Sequence, residues 1–107
     1  MMNFNEAFNN LKEQFKDKDV SNIDNIAFEF RVNDPEGIFY AEVKNGKLSI
    51  EPYNYYDNNC VFTAKYDVFR KIINLELSPI SAYLTKKLSV EGDLEKAMIL
   101  ERMIKGE

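Results

Sequence analysis

The residues able to do chemistry in this chain are few, and the most versatile of them is missing: 107 residues contain no histidine. Ser-His and Cys-His nucleophile pairs and His-metal clusters are excluded together. Cys60 is the only cysteine, which rules out an intrachain disulfide and an all-cysteine zinc site and makes an intracellular compartment the simpler reading. It lies in the β-rich run CVFTA, Cys60 to Ala64, where a buried, inert thiol is expected. Glu91 and Asp93 flank a glycine, a spacing that suits paired carboxylates or a divalent-ion corner. The plainer reading places Glu91 on the wet face of a strand and Asp93 at a helix cap. Asp57-Asn58-Asn59 offers oxygen ligands without the loop glycine and closing glutamate of a calcium hand. Gly37, Gly46, Gly92 and Gly106 are too scattered to cradle a phosphate. No catalytic residue, metal or cofactor is therefore expected. Binding remains.

Charge narrows what is bound. Fourteen Lys and Arg against eighteen Asp and Glu give a net charge of −4 and an isoelectric point near 4.9, so no broad positive field gathers nucleic acid. The same balance limits membrane contact to a transient one through an apolar rim. The N-terminus MMNFNEAFNN lacks the basic start and apolar run of a signal peptide, and no apolar stretch nears the ~18 residues of a membrane span. Lys105-Gly106-Glu107 matches no retention address. One cytoplasmic domain over residues 1–107 is expected.

Positioning falls to a simple series of elements. Phe4, Phe8, Leu11 and Phe15 share a stripe on a helix ending near Lys16. From Ile26 the period becomes two: Phe28, Phe30 and Val32 alternate with Glu29, Arg31 and Asn33, and Phe39, Ala41 and Val43 with Tyr40, Glu42 and Lys44. The turn around Pro35 joins these strands, and Asn45-Gly46 turns the chain into a third that carries Leu48 and Ile50. Glu51 to Asn59, with three tyrosines, reads as a crossing loop whose rings either line an opening or cover a core edge. A fourth strand follows at Cys60 to Ala64. Asp67 is the expected cap of a helix in which Val68, Phe69, Ile72, Ile73 and Leu75 share one broad side and Arg70, Lys71 and Asn74 take the other.

Ser78 to Leu100 (SPISAYLTKKLSVEGDLEKAMIL) is the richest stretch. Ser78 caps and Pro79 opens a helical turn that faces Ile80, Tyr83 and Leu84 inward. Leu88 and Val90 mark a fifth strand, Gly92 permits a sharp exit, and Asp93 caps one helix from Leu94 to Ile104. Ala97, Leu100, Met103 and Ile104 fill one arc of it, Leu94 and Met98 widen the arc, and Ile99 lies away. That spread exceeds what one sheet face requires, and methionine adapts to irregular shapes. The fold class expected is α+β, a five-stranded mixed, mainly antiparallel sheet with helices on one face, in the order α-β-β-β-β-α-α-β-α.

These residues resemble the sterol carrier protein type-two family of lipid-binding domains. Three stretches carry the resemblance: FEFRVNDPEGIFYAEVKNGKLSI with its Asn-Gly-Lys corner, CVFTAKYDVFRKII, and Ser78 to Leu100, where Pro79, Ala82, Tyr83, Lys87, Leu88, Gly92 and Asp93 fall at the family's spacing. The chain departs from the family at Leu75-Glu76 and at Lys86, where the family carries Gly-Lys and Gly, and these turns shape the cavity entrance.

The resemblance implies an apolar tunnel between sheet and helices that holds, without chemistry, a fatty acid, fatty acyl-CoA, phospholipid, sterol or isoprenoid. Phe28, Phe30, Phe69, Ile73, Ile80, Leu84, Met98 and Met103 are the candidate wall residues, and ordinary core packing is the competing reading for each. The rival function is an accessory module whose apolar last helix docks on its own copy or on an enzyme partner. A lipid-modifying enzyme would have to draw on Glu76, Glu91, Tyr83 or Cys60, whose contexts do not recommend them.

Overall fold

The computed structural model describes residues 2–106. Met1 and Glu107, the outermost residues of the two terminal readings, lie outside the described residues. The elements run α1 (Phe4–Phe15), β1 (Ile26–Asn33), β2 (Glu36–Lys44), β3 (Lys47–Glu51), β4 (Cys60–Ala64), α2 (Tyr66–Ile73), α3 (Pro79–Leu84), β5 (Ser89–Gly92), α4 (Leu94–Ala97) and α5 (Ile99–Lys105). The strands form one sheet in the order β3-β2-β1-β4-β5. Only β1 and β4 are parallel; the other pairs are antiparallel. Among the described residues no helix is long and apolar enough to cross a membrane.

Alternation in the strands puts a row of rings on the helix-covered face. Phe30 is its hub: its ring stacks on Phe39 at 4.7 Å and on Phe62 at 5.5 Å, and meets Phe69 of α2 at 5.5 Å and Phe15 of α1 at 6.4 Å edge-on. Phe8 reaches Phe39 from α1, and Leu100, Met103 and Ile104 of α5 close the same cluster.

Several expectations from the sequence need correction. Glu29 is not on a wet face but buried, because the 52–59 loop folds over that side: Tyr55 donates its backbone N–H to Glu29 Oε1 at 3.2 Å, and Arg31 Nε donates to Oε2 at 2.9 Å. Of the loop tyrosines only Tyr55 covers the sheet, its ring 4.9 Å from Tyr40 and its hydroxyl donating to Glu42, while Tyr53 and Tyr56 are exposed. Lys65, not Asp67, occupies the N-cap of α2; Asp67 sits inside the first turn, 3.5 Å from Arg70. The predicted last helix is broken at Met98, and Ile99 packs against the core instead of lying away from it.

The two positions where the family carries glycine keep a glycine's backbone. Leu75 and Lys86 have φ of 63° and 64°. Each follows a helix C-cap. Glu76 N–H reaches back to Lys71 O at 2.8 Å and Lys87 N–H to Ala82 O at 2.8 Å, the six-to-one bonds that close a helix through a left-handed residue. These helix-closing hydrogen bonds hold Leu75 and Lys86 in the left-handed conformation despite their side chains.

Candidate functional site

Where α3, β5 and α4 meet the edge of the sheet, an apolar groove of about 180 Å³ remains unfilled. Its floor is Phe62 of β4 and Val90 of β5, paired in register across the two strands, with Leu88 beside them. Ile80 and Tyr83 of α3 form one wall, and Leu94, Ala97 and Met98 form the other. Pro79 and Glu101 bound one end; the Glu101 carboxylate is 3.2 Å from Lys105 Nζ and is the one charged group among the lining residues.

Local sequence explains this geometry. Ser78 Oγ accepts from Ser81 N–H at 3.0 Å and Pro79 opens α3, so the helix starts where it can lean over β5. Asp93 accepts from Glu95 and Lys96 N–H groups at 3.0 and 3.4 Å, which starts α4 directly after the strand. Gly92 makes that corner with φ +105°, and a Cβ there would come within 2.6 Å of Asn59 O. Cys60, fully buried, donates its thiol to Asp93 O at 2.9 Å, and burial pushes that thiol up to about 11. A thiol so held is a structural tie, not a nucleophile. Asn59 Oδ1 accepts from Ala27 N–H and ties the oxygen-rich loop to β1, while Asn58 donates to Tyr55 O within the loop. The described residues hold no group of three or more acidic or thiol side chains arranged for a metal.

The eight candidate wall residues divide sharply. Ile80 and Met98 line the groove and are 47% and 61% exposed. Leu84, expected to face inward, is 72% exposed and lies outside the groove; Ala82 takes the buried position on α3, because the turn packs through its smallest side chain. Phe28, Phe30, Phe69, Ile73 and Met103 are at most 2% exposed and pack in the closed aromatic core, none of them lining the groove. The space between sheet and helices at their level is filled by rings. Sequence reasoning passed over Phe62, Leu88, Val90 and Ala97 as lining residues. The available signal was the period-two placement of Phe62 in Cys60 to Ala64 and of Leu88 and Val90 in the next strand-forming run.

The fold has many counterparts. Sterol carrier protein-2 like-3 from Aedes aegypti superposes with a TM-score of 0.65 at 12% identity, covering 100% of both chains. The palmitated SCP2L2 of Aedes aegypti gives 0.62 at 14% identity over 96% of this chain and 95% of that one. The inverting sec-alkylsulfatase Pisa1 from Pseudomonas sp. gives 0.67 at 12% identity over 74% of this chain, which spans only 13% of the sulfatase. No curated protein matches by sequence. The profile of the SCP-2 sterol transfer family matches residues 4–105, and the chain belongs to that family.

Proposed function

We propose that the protein binds and carries a single hydrophobic ligand, with an acyl, isoprenoid or sterol body, and leaves it chemically unchanged. The observation that carries this reading is the groove between α3, β5 and α4: its lining is apolar but for Glu101 and the Tyr83 hydroxyl, and it offers a ligand burial without a reactive group. Membership of a sterol transfer family and the likeness to a palmitated protein support it.

Size sets how the groove works. About 180 Å³ is close to the ~150 Å³ cavity that accepts benzene, so this conformation takes some six carbons of a chain. Six methylenes at ~0.8 kcal/mol each contribute about 5 kcal/mol before association costs, against the ~8 kcal/mol net of a micromolar complex. Carriage of a whole chain therefore requires α3 and α4 to part from β5. Their side chains permit it, since Leu94, Met98, Ile80 and Tyr83 are each about half exposed and leave little packing to break.

Solvent extraction and mass spectrometry of the purified protein, with displacement of a fluorescent fatty acid, test the proposal. Bound lipid or saturable displacement is expected, and Ala97→Phe, which fills the groove, should weaken the probe at least about tenfold. Absence of both lipid and displacement overturns it. Exposure of Leu94 and Met98 at the start of the C-terminal helical segment favours a second reading, docking of that segment on another copy or on an enzyme. A tight dimer in sedimentation that binds no fatty acid selects that reading.

A further inference from the structure

A second depression, of about 520 Å³, lies on the other side of β5, between the ends of β1 and β4, helix α2 and the α3–β5 turn. Its chemistry is the reverse of the groove's. Four of the chain's eleven lysines line it: Lys65, Lys71, Lys86 and Lys87. None of the four takes part in an ion pair among the described residues, whereas Lys12, Lys16 and Lys105 all do. Asp67 is the one acid in the lining, and it is turned toward Arg70 at 3.5 Å. In a chain with a net charge of −4, such a cleft concentrates positive charge against the overall field.

Neutral donors complete it. Asn33, Thr63 and Ser89 line the cleft, and their side chains make no hydrogen bond among the described residues. Thr63 and Ser89 are register partners across β4 and β5, so their hydroxyls sit side by side. Lys87 and Ser89 line the cleft, while Leu88 between them lines the groove. Clustered ammonium groups with adjacent hydroxyl donors match a compact, multiply charged oxyanion, which lysine binds as a point charge.

We propose that this cleft is a binding site for a phosphate-class anion, a phosphate monoester or diphosphate, held by Lys65, Lys71, Lys86 and Lys87. The anion comes either free in solution or as the headgroup of a lipid. The site stands independently of the groove: it uses other side chains and a ligand of opposite character.

Titration of the full chain with sodium pyrophosphate at low ionic strength, followed by amide NMR, tests it. Shifts are expected at residues 63–67 and 86–89. Lys86→Gly with Lys87→Gln removes two charges and gives the left-handed turn its natural residue, so the fold is kept; pyrophosphate affinity should fall at least about tenfold. Lys44→Gln with Lys47→Gln, on the β2–β3 hairpin, should stay within about twofold of the parent. Flotation with phosphatidic acid vesicles against phosphatidylcholine separates the sources: recruitment lost in the Lys86, Lys87 variant assigns the headgroup, and pyrophosphate binding without recruitment assigns the free anion. Shifts spread over all lysine-bearing segments, equal losses in both double variants, or no binding to either probe overturn the proposal.

Discussion

The aromatic centre and the α3–β5–α4 edge are built from similar residues and behave as opposites. Around Phe30, rings from α1, β1, β2, β4 and α2 touch at 4.7 to 6.4 Å and leave no room. At the edge, Ile80, Leu94 and Met98 are apolar yet about half exposed, and a groove persists between them. The difference lies in element length and partner supply. An eight-residue strand flanked on both sides and a twelve-residue helix surround Phe30, while the edge rests on a six-residue helix, a four-residue strand with one neighbour and a four-residue helix. Apolar residues packed from all sides make a core; on short elements at a sheet edge they make a binding surface.

Truncation of the central ring has the largest expected effect. Phe30→Ala should lose about 3–5 kcal/mol in urea unfolding. If the protein tolerates it with a loss under about 1 kcal/mol, the centre is not a closed core.

Alkaline titration reads the burial of Cys60, which lies between the two regions. Burial raises its thiol from 9.0 to about 11, so the folded protein favours the protonated form. The resulting stability is complete below pH 9 and is lost as pH rises through 11. The Tyr55 phenol, raised from 10.0 to about 12 chiefly by its hydrogen bond to Glu42, acts in the same direction from pH 10 to 12. The urea midpoint should fall across pH 9 to 11, more steeply than in Cys60→Ala; equal slopes contradict the burial of the thiol.

Smaller effects separate the turns from the surface. Leu75→Gly and Lys86→Gly should each stabilise by up to about 1 kcal/mol, read as a raised Tm, because glycine occupies the left-handed region without strain. Leu84→Ala should change stability by no more than about 0.5 kcal/mol despite removing a large apolar side chain. A loss near that of Phe30→Ala would place Leu84 in a packed wall after all.

The sheet was readable because period-two alternation at Phe28 to Ile50 and the Asn45-Gly46 turn are local signals. The caps at Ser78 and Asp93 were readable for the same reason. What misled was helical spacing near the sheet edge. It places Ile80 and Leu84 on one side of α3, but it carries no information on whether a partner covers that side. Glu29 escaped in the opposite sense: alternation marks its face as wet, and only the long-range return of Tyr55 makes it dry. Packing between residues distant in sequence decides both cases.

Met98 in the groove wall and Met103 in the core lie five positions apart, one 61% exposed and the other fully buried. Methyl-labelled methionine NMR during titration with palmitate reads both environments at once. The Met98 methyl should shift and saturate while Met103 stays near its initial position. A shift at Met103 with Met98 unmoved, placing the chain between sheet and helices, would contradict the account, as would saturation without movement of either methyl.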